Sequence, residues 1–548
     1  MTSRRSFAAL FVFAAASLVN ADEPHVDAPV GSIHGRTTTV EGIEIELFQR
    51  IPYAEPPVGD LRFALPVPLK LVGELQPSNL TSVCPQPYLS EDFKILIPQT
   101  EDCLHLNVYR KAGTKQGDDK PVAAIIHGGA FSVGSAADFF HDSVPLAGLG
   151  DVVVVSFNYR LGILGFADMK DLAPGNLGLY DQRLALEWIQ DNVRSFGGNP
   201  NKVTLLGVSA GSMSVSAHIN TPLNRQGRKL FHAAIFDAGV MAPGIVVDSD
   251  VTLARVKKIA ETLGCKIDGS EMLACLRKAD ANELAKLSLD VEGYSPIWTF
   301  QPTIDGKFIP RDVAEDVRNN AKDFVKVKML IGTAKDEGRT FSSYRFDLTG
   351  TKFPNLTSEK EFIDYCAKLA FGYKYPIDLT SSEVQKRLSE AYYQKNPSRF
   401  LDVSDFISGM FVCPTNAFVK SYSKTNHNIY VYRFDRKLHQ KYSIIDPEKF
   451  GAFHGSPFLH FTGSLLRPSA VIPNITMNAE DKTYILDCIE MVANFMKTDD
   501  APKFRGIEWP DFSKGEGVLV FDEKPHVVKG LFSEDRCKVI FPVFESSP

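Results

Sequence analysis

Acyl transfer through a side chain needs four groups: a nucleophile, a base, an acid that orients the base, and N–H donors for the developing oxyanion. Residues Gly207, Val208, Ser209, Ala210 and Gly211 follow the apolar run Val203–Leu206 and precede the small-residue segment 212–219. This is the strand–turn–helix setting of a nucleophile elbow, in which two glycines permit a turn too tight for side chains and Ser209 stands clear of the backbone. The bare pattern arises by chance in roughly one chain in five of this length, given ordinary Gly and Ser frequencies. Its company therefore decides. His127-Gly128-Gly129-Ala130 directly follows the run Val122–Ile126. Consecutive glycines at a strand end let backbone N–H groups of Gly128 and Gly129 turn into one cavity, with Ala210 N–H as a further donor. His127, at the strand end itself, is expected to be structural.

The base and its acid should follow the serine in the order acid, then histidine. The downstream candidates are His232, His427, His439, His454, His460 and His526. His454 stands out because Gly455 follows it in the Gly/Pro-rich stretch Gly451–Pro457. His460 lies in an aromatic segment and reads as packed, and His232 falls in a strand run and reads as core. Asp336-Glu337-Gly338 follows the run Val327–Ile331 on its C-terminal side, where sites gather in open parallel sheets. Pattern alone does not choose between Asp336 and Glu337.

These residues need a scaffold. Seven short buried-type runs recur: Val122–Ile126, Val152–Ser156, Val203–Leu206, His232–Phe236, Val327–Ile331, Ile429–Phe434 and Val518–Phe521. Between the second and third, Leu177, Tyr180, Leu184, Trp188 and Ile189 recur at helical spacing, and Gly197-Gly198-Asn199-Pro200 closes the segment. Strands alternating with helices predict an α/β fold with a central, mostly parallel sheet flanked by helices. Residues 30–65 read as short strands and turns. Residues 350–415 read as mostly helical, a cap-like insertion over one edge. No linker separates independent domains, so residues 22–548 read as one unit.

The chain has 548 residues, 44% hydrophobic and 23% charged, enough for a large core. Arg4 and Arg5 precede the apolar run Phe7–Val19, and Val19-Asn20-Ala21 offers a cleavage site, so residues 1–21 read as a signal peptide. Its removal takes the net charge from -6 to -8. There is no basic stripe, which argues against nucleic-acid binding. No hydrophobic anchor follows the leader, and the ending Phe544-Glu545-Ser546-Ser547-Pro548 carries no lipid-anchor or retention signal. Sequons at Asn79, Asn355 and Asn474 fit a secreted, glycosylated chain. The eight cysteines include no C-x-x-C pair, so a zinc site has no support, and an oxidising compartment favours disulfides.

The chain carries Phe48-x-Arg-Ile-Pro-Tyr-Ala-Glu-Pro-Pro-Val-Gly, Glu101-Asp102-Cys103-Leu104-x-Leu-Asn, His127-Gly-Gly, Asn158-Tyr159-Arg160, Gly175-Asn176-x-Gly-Leu-x-Asp181-Gln182-Arg183, Phe196-Gly197-Gly198-Asn199-Pro200 and the Ser209 elbow. Taken jointly, these motifs resemble the type-B carboxylesterases, the family of carboxylesterases, cholinesterases and bile-salt-activated lipase. The likeness runs from Gly31 to about Pro542. It implies an α/β-hydrolase fold and hydrolysis of a small-molecule ester without metal or cofactor. It implies Ser209 as nucleophile, Glu337 rather than Asp336 as acid, His454 as base, and Gly128, Gly129 and Ala210 as oxyanion donors. It implies disulfides Cys84–Cys103, Cys265–Cys275 and Cys413–Cys537, and ion pairs Arg62–Glu101 and Arg160–Asp181.

The departures concern the substrate. Val208 stands where many relatives carry Glu, and Ala238-Gly239 where Ser-Gly is common. Cholinesterases hold choline on a Trp between the cysteines matching Cys84 and Cys103, and no Trp lies there. Thr340 replaces an expected aromatic, while Phe341 remains to line an acyl pocket. Without both cation–π faces, a quaternary ammonium loses much of its affinity. The resemblance therefore points to a secreted carboxylesterase rather than an acetylcholinesterase. Its rivals are an inactive adhesion protein on the same fold and an interfacial lipase.

Overall fold

The computed structural model describes residues 23–77, 82–87, 97–225, 227–289, 299–343, 354–372, 381–394, 399–442, 445–468 and 476–540. The leader, Asn79 and Asn474 lie outside these residues. Among them an 11-stranded sheet forms the centre. Its parallel middle runs Gly517–Phe521, Ile429–Phe434, Lys328–Ala334, Ala233–Asp237, Gly198–Val208, Lys120–Ile126 and Val153–Phe157. All seven expected runs are these strands, shifted at their ends by a few residues. The antiparallel edges are His526–Lys529 on one side and His105–Lys111, Ile43–Pro52 and Arg36–Val40 on the other.

Alternate residues of one strand serve different cores, as strand geometry requires. Val122, Ala124 and Ile126 join one apolar cluster, with Leu184, Trp188 and Ile189 of the helix Leu177–Asn192 and Met213 and Val215 of Ala210–Asn220. Ala123 and Ile125 join the other, with Phe458 and Leu459 of Ser456–Thr462 and Tyr484 and Ile485 of Ala479–Lys497. Both sheet faces are therefore covered, which is why these strands are apolar throughout rather than alternating.

Residues 350–415 contribute Glu359–Gly372, Ser382–Tyr392 and the first part of Arg399–Tyr422. The last packs directly on the Glu337 turn: a Cβ on Gly338 would lie 1.9 Å from Ser404 O. One expectation needs correction. The strand begins at Ala233, and His232 is only half-buried ahead of it.

The three implied disulfides are present, and Cys366 and Cys488 are buried thiols. Both implied ion pairs form. Arg62 Nε donates to Glu101 at 2.6 Å, and Arg160 Nη2 and Nε donate to the two oxygens of Asp181 at 2.7 and 2.8 Å. Asp181 also accepts from Arg160 N–H at 3.0 Å. Asn355 is exposed ahead of Glu359–Gly372. No described helix is long and apolar enough to cross a membrane.

Candidate active site

The loops at the carboxyl ends of the parallel strands converge, as they do in open α/β sheets. Ser209 ends the strand Gly198–Val208 with φ 55° and ψ -123°. That strain exists because the helix Ala210–Asn220 starts at once. A Cβ on Gly207 would sit 2.3 Å from Gly211 O, and one on Gly211 2.0 Å from Ile126 O. Only glycine fits either place, which is the physical content of the motif. Ser209 is largely buried, with 8% of its surface exposed.

His454 lies just before the helix Ser456–Thr462. Its Nδ1 is 2.5 Å from Glu337 Oε2, and Glu337 is fully buried at the start of Glu337–Ser343. Glu337 Oε1 accepts from Ala334 N–H at 2.6 Å. The carboxylate thus accepts the imidazole's Nδ1–H, leaving Nε2 as a bare acceptor, and Nε2 is buried with no partner among the described residues. Phe341 and Phe411 flank the ring at centroid distances of 4.9 and 4.6 Å.

Asp336 has a different job. It pairs with Arg339 at 2.9 Å and accepts from Ala452 N–H at 3.0 Å, while its own N–H donates to Ala452 O. It joins the Glu337 turn to the loop that carries His454. Burial raises its pKa, opposed by Arg339. Three other downstream histidines are engaged elsewhere. His460 donates from Nδ1 to Ser456 O and is pushed down to about 4 by burial. His439 sits on Asp481, and His427 on Ser513.

The loop after Ile126 divides its peptide groups in a way the glycine pattern did not reveal. Gly128 N–H donates to His141 Nε2 at 2.9 Å, so it is turned into the wall and not toward an oxyanion. His127 O accepts from Tyr159 Oη–H at 2.9 Å, and Gly128 O accepts from His127 Nδ1–H at 2.8 Å. Gly129 O accepts from Ser132 N–H and Val133 N–H at 3.0 and 2.9 Å. In a trans peptide the N–H points opposite to the carbonyl. The N–H groups of Gly129 and Ala130 are therefore directed away from anchored carbonyls, and neither has a protein acceptor among the described residues. His127 is indeed structural: it stacks on Tyr159 at 4.2 Å and burial lowers its pKa to about 3.

Sequence reasoning missed Asp237. Its backbone O accepts from Ser209 N–H at 2.8 Å, and its Oδ2 accepts from Phe458 N–H at 2.9 Å. One buried residue thus ties the elbow to the helix that follows His454. Burial first, and then the charge of Glu337, raises its carboxyl well above the usual range. An unfolded Asp ionises near pH ~4. The folded chain resists that ionisation, so Asp237 withdraws stability as pH rises above about 4. Asp237→Asn should remove this loss: the melting temperature of the variant, relative to the parent, should climb from pH 5 to pH 8. Parallel curves over that range would refute it.

A family model described as "Carboxylesterase family" matches residues 22–540. The chain belongs to the carboxylesterase family. Acetylcholinesterase of Bungarus fasciatus is 31% identical over 521 residues, covering 91% of this chain and 83% of that protein. Cholinesterase of Mus musculus is 32% identical over 452 residues, covering 78% and 72%. This carboxylesterase-family chain is accordingly a carboxylic-ester hydrolase with an α/β-hydrolase fold, and its substrate is a small-molecule ester.

Proposed function

We propose that the chain cleaves small to medium carboxylic esters through an acyl-enzyme on Ser209. The observation that carries this is the bare, buried Nε2 of His454, with Glu337 Oε2 2.5 Å from its Nδ1, on a loop whose Gly455 packs against Val208, the residue before the strained Ser209. His454 Nε2 takes the hydroxyl proton as Ser209 Oγ attacks the ester carbonyl carbon. Glu337 keeps the proton on Nδ1 and stabilises the imidazolium. The N–H groups of Gly129, Ala130 and Ala210 receive the oxyanion, and Gly128 closes the wall behind them. A Cβ on Gly128 would lie 2.8 Å from Val208 O and 3.2 Å from Ser209 Cβ, so the wall tolerates nothing larger. The alkoxide leaves with the proton from His454. Water, deprotonated by the same base, then cleaves the acyl-enzyme.

The substrate reading follows from the departures in sequence. Val208 is buried against Gly455, whose Cβ would come 3.6 Å from Val208 Cγ2, so an apolar contact lies beside the serine where many relatives have a carboxylate. Thr340 and the Trp-free stretch between Cys84 and Cys103 lack the two aromatic faces expected of a cholinesterase, which lowers the affinity for a quaternary ammonium. The leader, the disulfides and the exposed Asn355 support action outside the cell.

A panel of p-nitrophenyl esters of increasing acyl length, with acetylthiocholine and Ser209→Ala as controls, tests the reading. Turnover of the p-nitrophenyl esters without preference for the thiocholine ester is expected. A strong thiocholine preference would overturn the substrate reading. A steep rise only above the micellar concentration would favour the interfacial lipase.

A further inference from the structure

Resting on the proposed oxyanion donors, we propose that Asp138 and His141 are positioning residues for this reaction, a buried acid–imidazole pair that sets the oxyanion loop. Asp138 caps the short turn Phe139–His141, which ends on His141, thirteen residues beyond Gly128. Asp138 Oδ1 is 2.7 Å from His141 Nδ1 and also accepts from His141 N–H at 3.1 Å, while Oδ2 accepts from Ser135 N–H at 2.9 Å. Burial works against the Asp138 charge, but the contacts with His141 and His127 and the hydrogen bond from Ser135 N–H together hold the carboxyl below its ordinary value.

The tautomer follows from the partners. A backbone N–H can only donate, so His141 Nε2, which receives Gly128 N–H, carries no proton. The proton is on Nδ1, where Asp138 accepts it. This is the same logic that Glu337 applies to His454, turned to another end: the second imidazole accepts from a peptide instead of from a hydroxyl. With Tyr159 on His127 O and His141 on Gly128 N–H, the His127–Gly128 peptide is fixed at both its polar ends. The next peptide starts from that fixed plane and is held by His127 on Gly128 O, which leaves Gly129 N–H facing the site. His141 is 8% exposed, with Phe458 at 5.7 Å and His127 at 5.6 Å between ring centroids. Without its acceptor, Gly128 N–H is buried and unpaired, and the loop can relieve this only by rotating the peptides that carry the donors.

The test uses the full-length protein with p-nitrophenyl acetate and a trifluoromethyl ketone, whose tetrahedral adduct reads the oxyanion site. His141→Phe keeps a ring against Phe458 but has no acceptor. It should lower kcat by about 10–100-fold, less than or equal to the loss of a whole oxyanion donor. KM should stay within about twofold, and the inhibition constant of the ketone should rise by the same factor as kcat falls. His141→Gln places an amide oxygen where Nε2 lies and should return both quantities to within about fivefold of the parent. A folded His141→Phe with parental kcat and ketone affinity would overturn the proposal. So would a folded His141→Gln as impaired as His141→Phe, because a merely structural ring predicts no rescue by an acceptor. If His141→Phe does not fold, Asp138→Asn decides. One amide oxygen cannot serve both Ser135 N–H and the His141 donors, so a loss of about tenfold is expected, and parental values would overturn the proposal. No ester turnover by the parent protein would instead count against the catalytic reading on which the pair depends.

Discussion

Ser209→Ala should lower kcat toward p-nitrophenyl esters by about a million-fold, with the fold intact, since removing the serine of such a triad costs about as much as removing all of it. The residue is held by backbone features that do not involve its hydroxyl: Ser209 N–H on Asp237 O, Met213 N–H on Ser209 O, and the close approach of Gly207 to Gly211. Alanine keeps all of these. Circular dichroism and melting temperature should therefore match the parent while turnover falls to the background given by oxyanion donors and binding alone. A residual kcat within about a hundredfold of the parent would mean that another nucleophile carries the reaction.

Glu337→Gln should cost about ten-thousand-fold in kcat, the size seen when an orienting carboxylate becomes an amide and the imidazole adopts the wrong tautomer. The reason lies in how Glu337 divides its two oxygens. One accepts from Ala334 N–H and the other from His454 Nδ1. A glutamine has one oxygen and one NH2. If the oxygen stays on Ala334 N–H, the NH2 faces Nδ1, which must then accept, and the imidazole proton moves to Nε2. His454 is then unable to take the serine's proton. Stopped-assay kcat at neutral pH checks this. A loss smaller than about tenfold would show that Glu337 does not set the tautomer.

The scaffold was legible because burial on both faces leaves a strong mark: each of the seven parallel strands contains a short apolar run, and each run was visible. The edge strands were harder. Residues 30–65 read only as short strands and turns, although Ile43–Pro52 is ten residues long, because one-sided burial mixes polar residues into the run. The tight turn that presents Ser209 was legible because only glycine fits at positions 207 and 211. The choice between Asp336 and Glu337 was not, since adjacent carboxylates look alike in sequence and differ only in direction. Asp336 turns to Ala452 and Arg339, and Glu337 turns to His454. Family resemblance, not pattern, separated them.

Gly128 shows a second limit. His127-Gly128-Gly129 marks a loop that brings peptide groups to the serine, but which N–H groups are free depends on acceptors elsewhere. His141 takes Gly128 N–H from thirteen residues away, and the free donors shift by one position to Gly129 and Ala130. Asp237 escaped notice for a similar reason. It ends an apolar strand, and only the folded chain shows its backbone on Ser209 and its carboxylate on Phe458.

The acyl-enzyme on Ser209 is tested most directly by reacting the folded, full-length protein with a fluorophosphonate and locating the adduct by peptide mass spectrometry. One adduct per chain on Ser209, formed as esterase activity disappears and absent from Ser209→Ala, is the predicted result. Folded protein that hydrolyses esters yet carries no adduct on Ser209, or carries it on another residue, would contradict it.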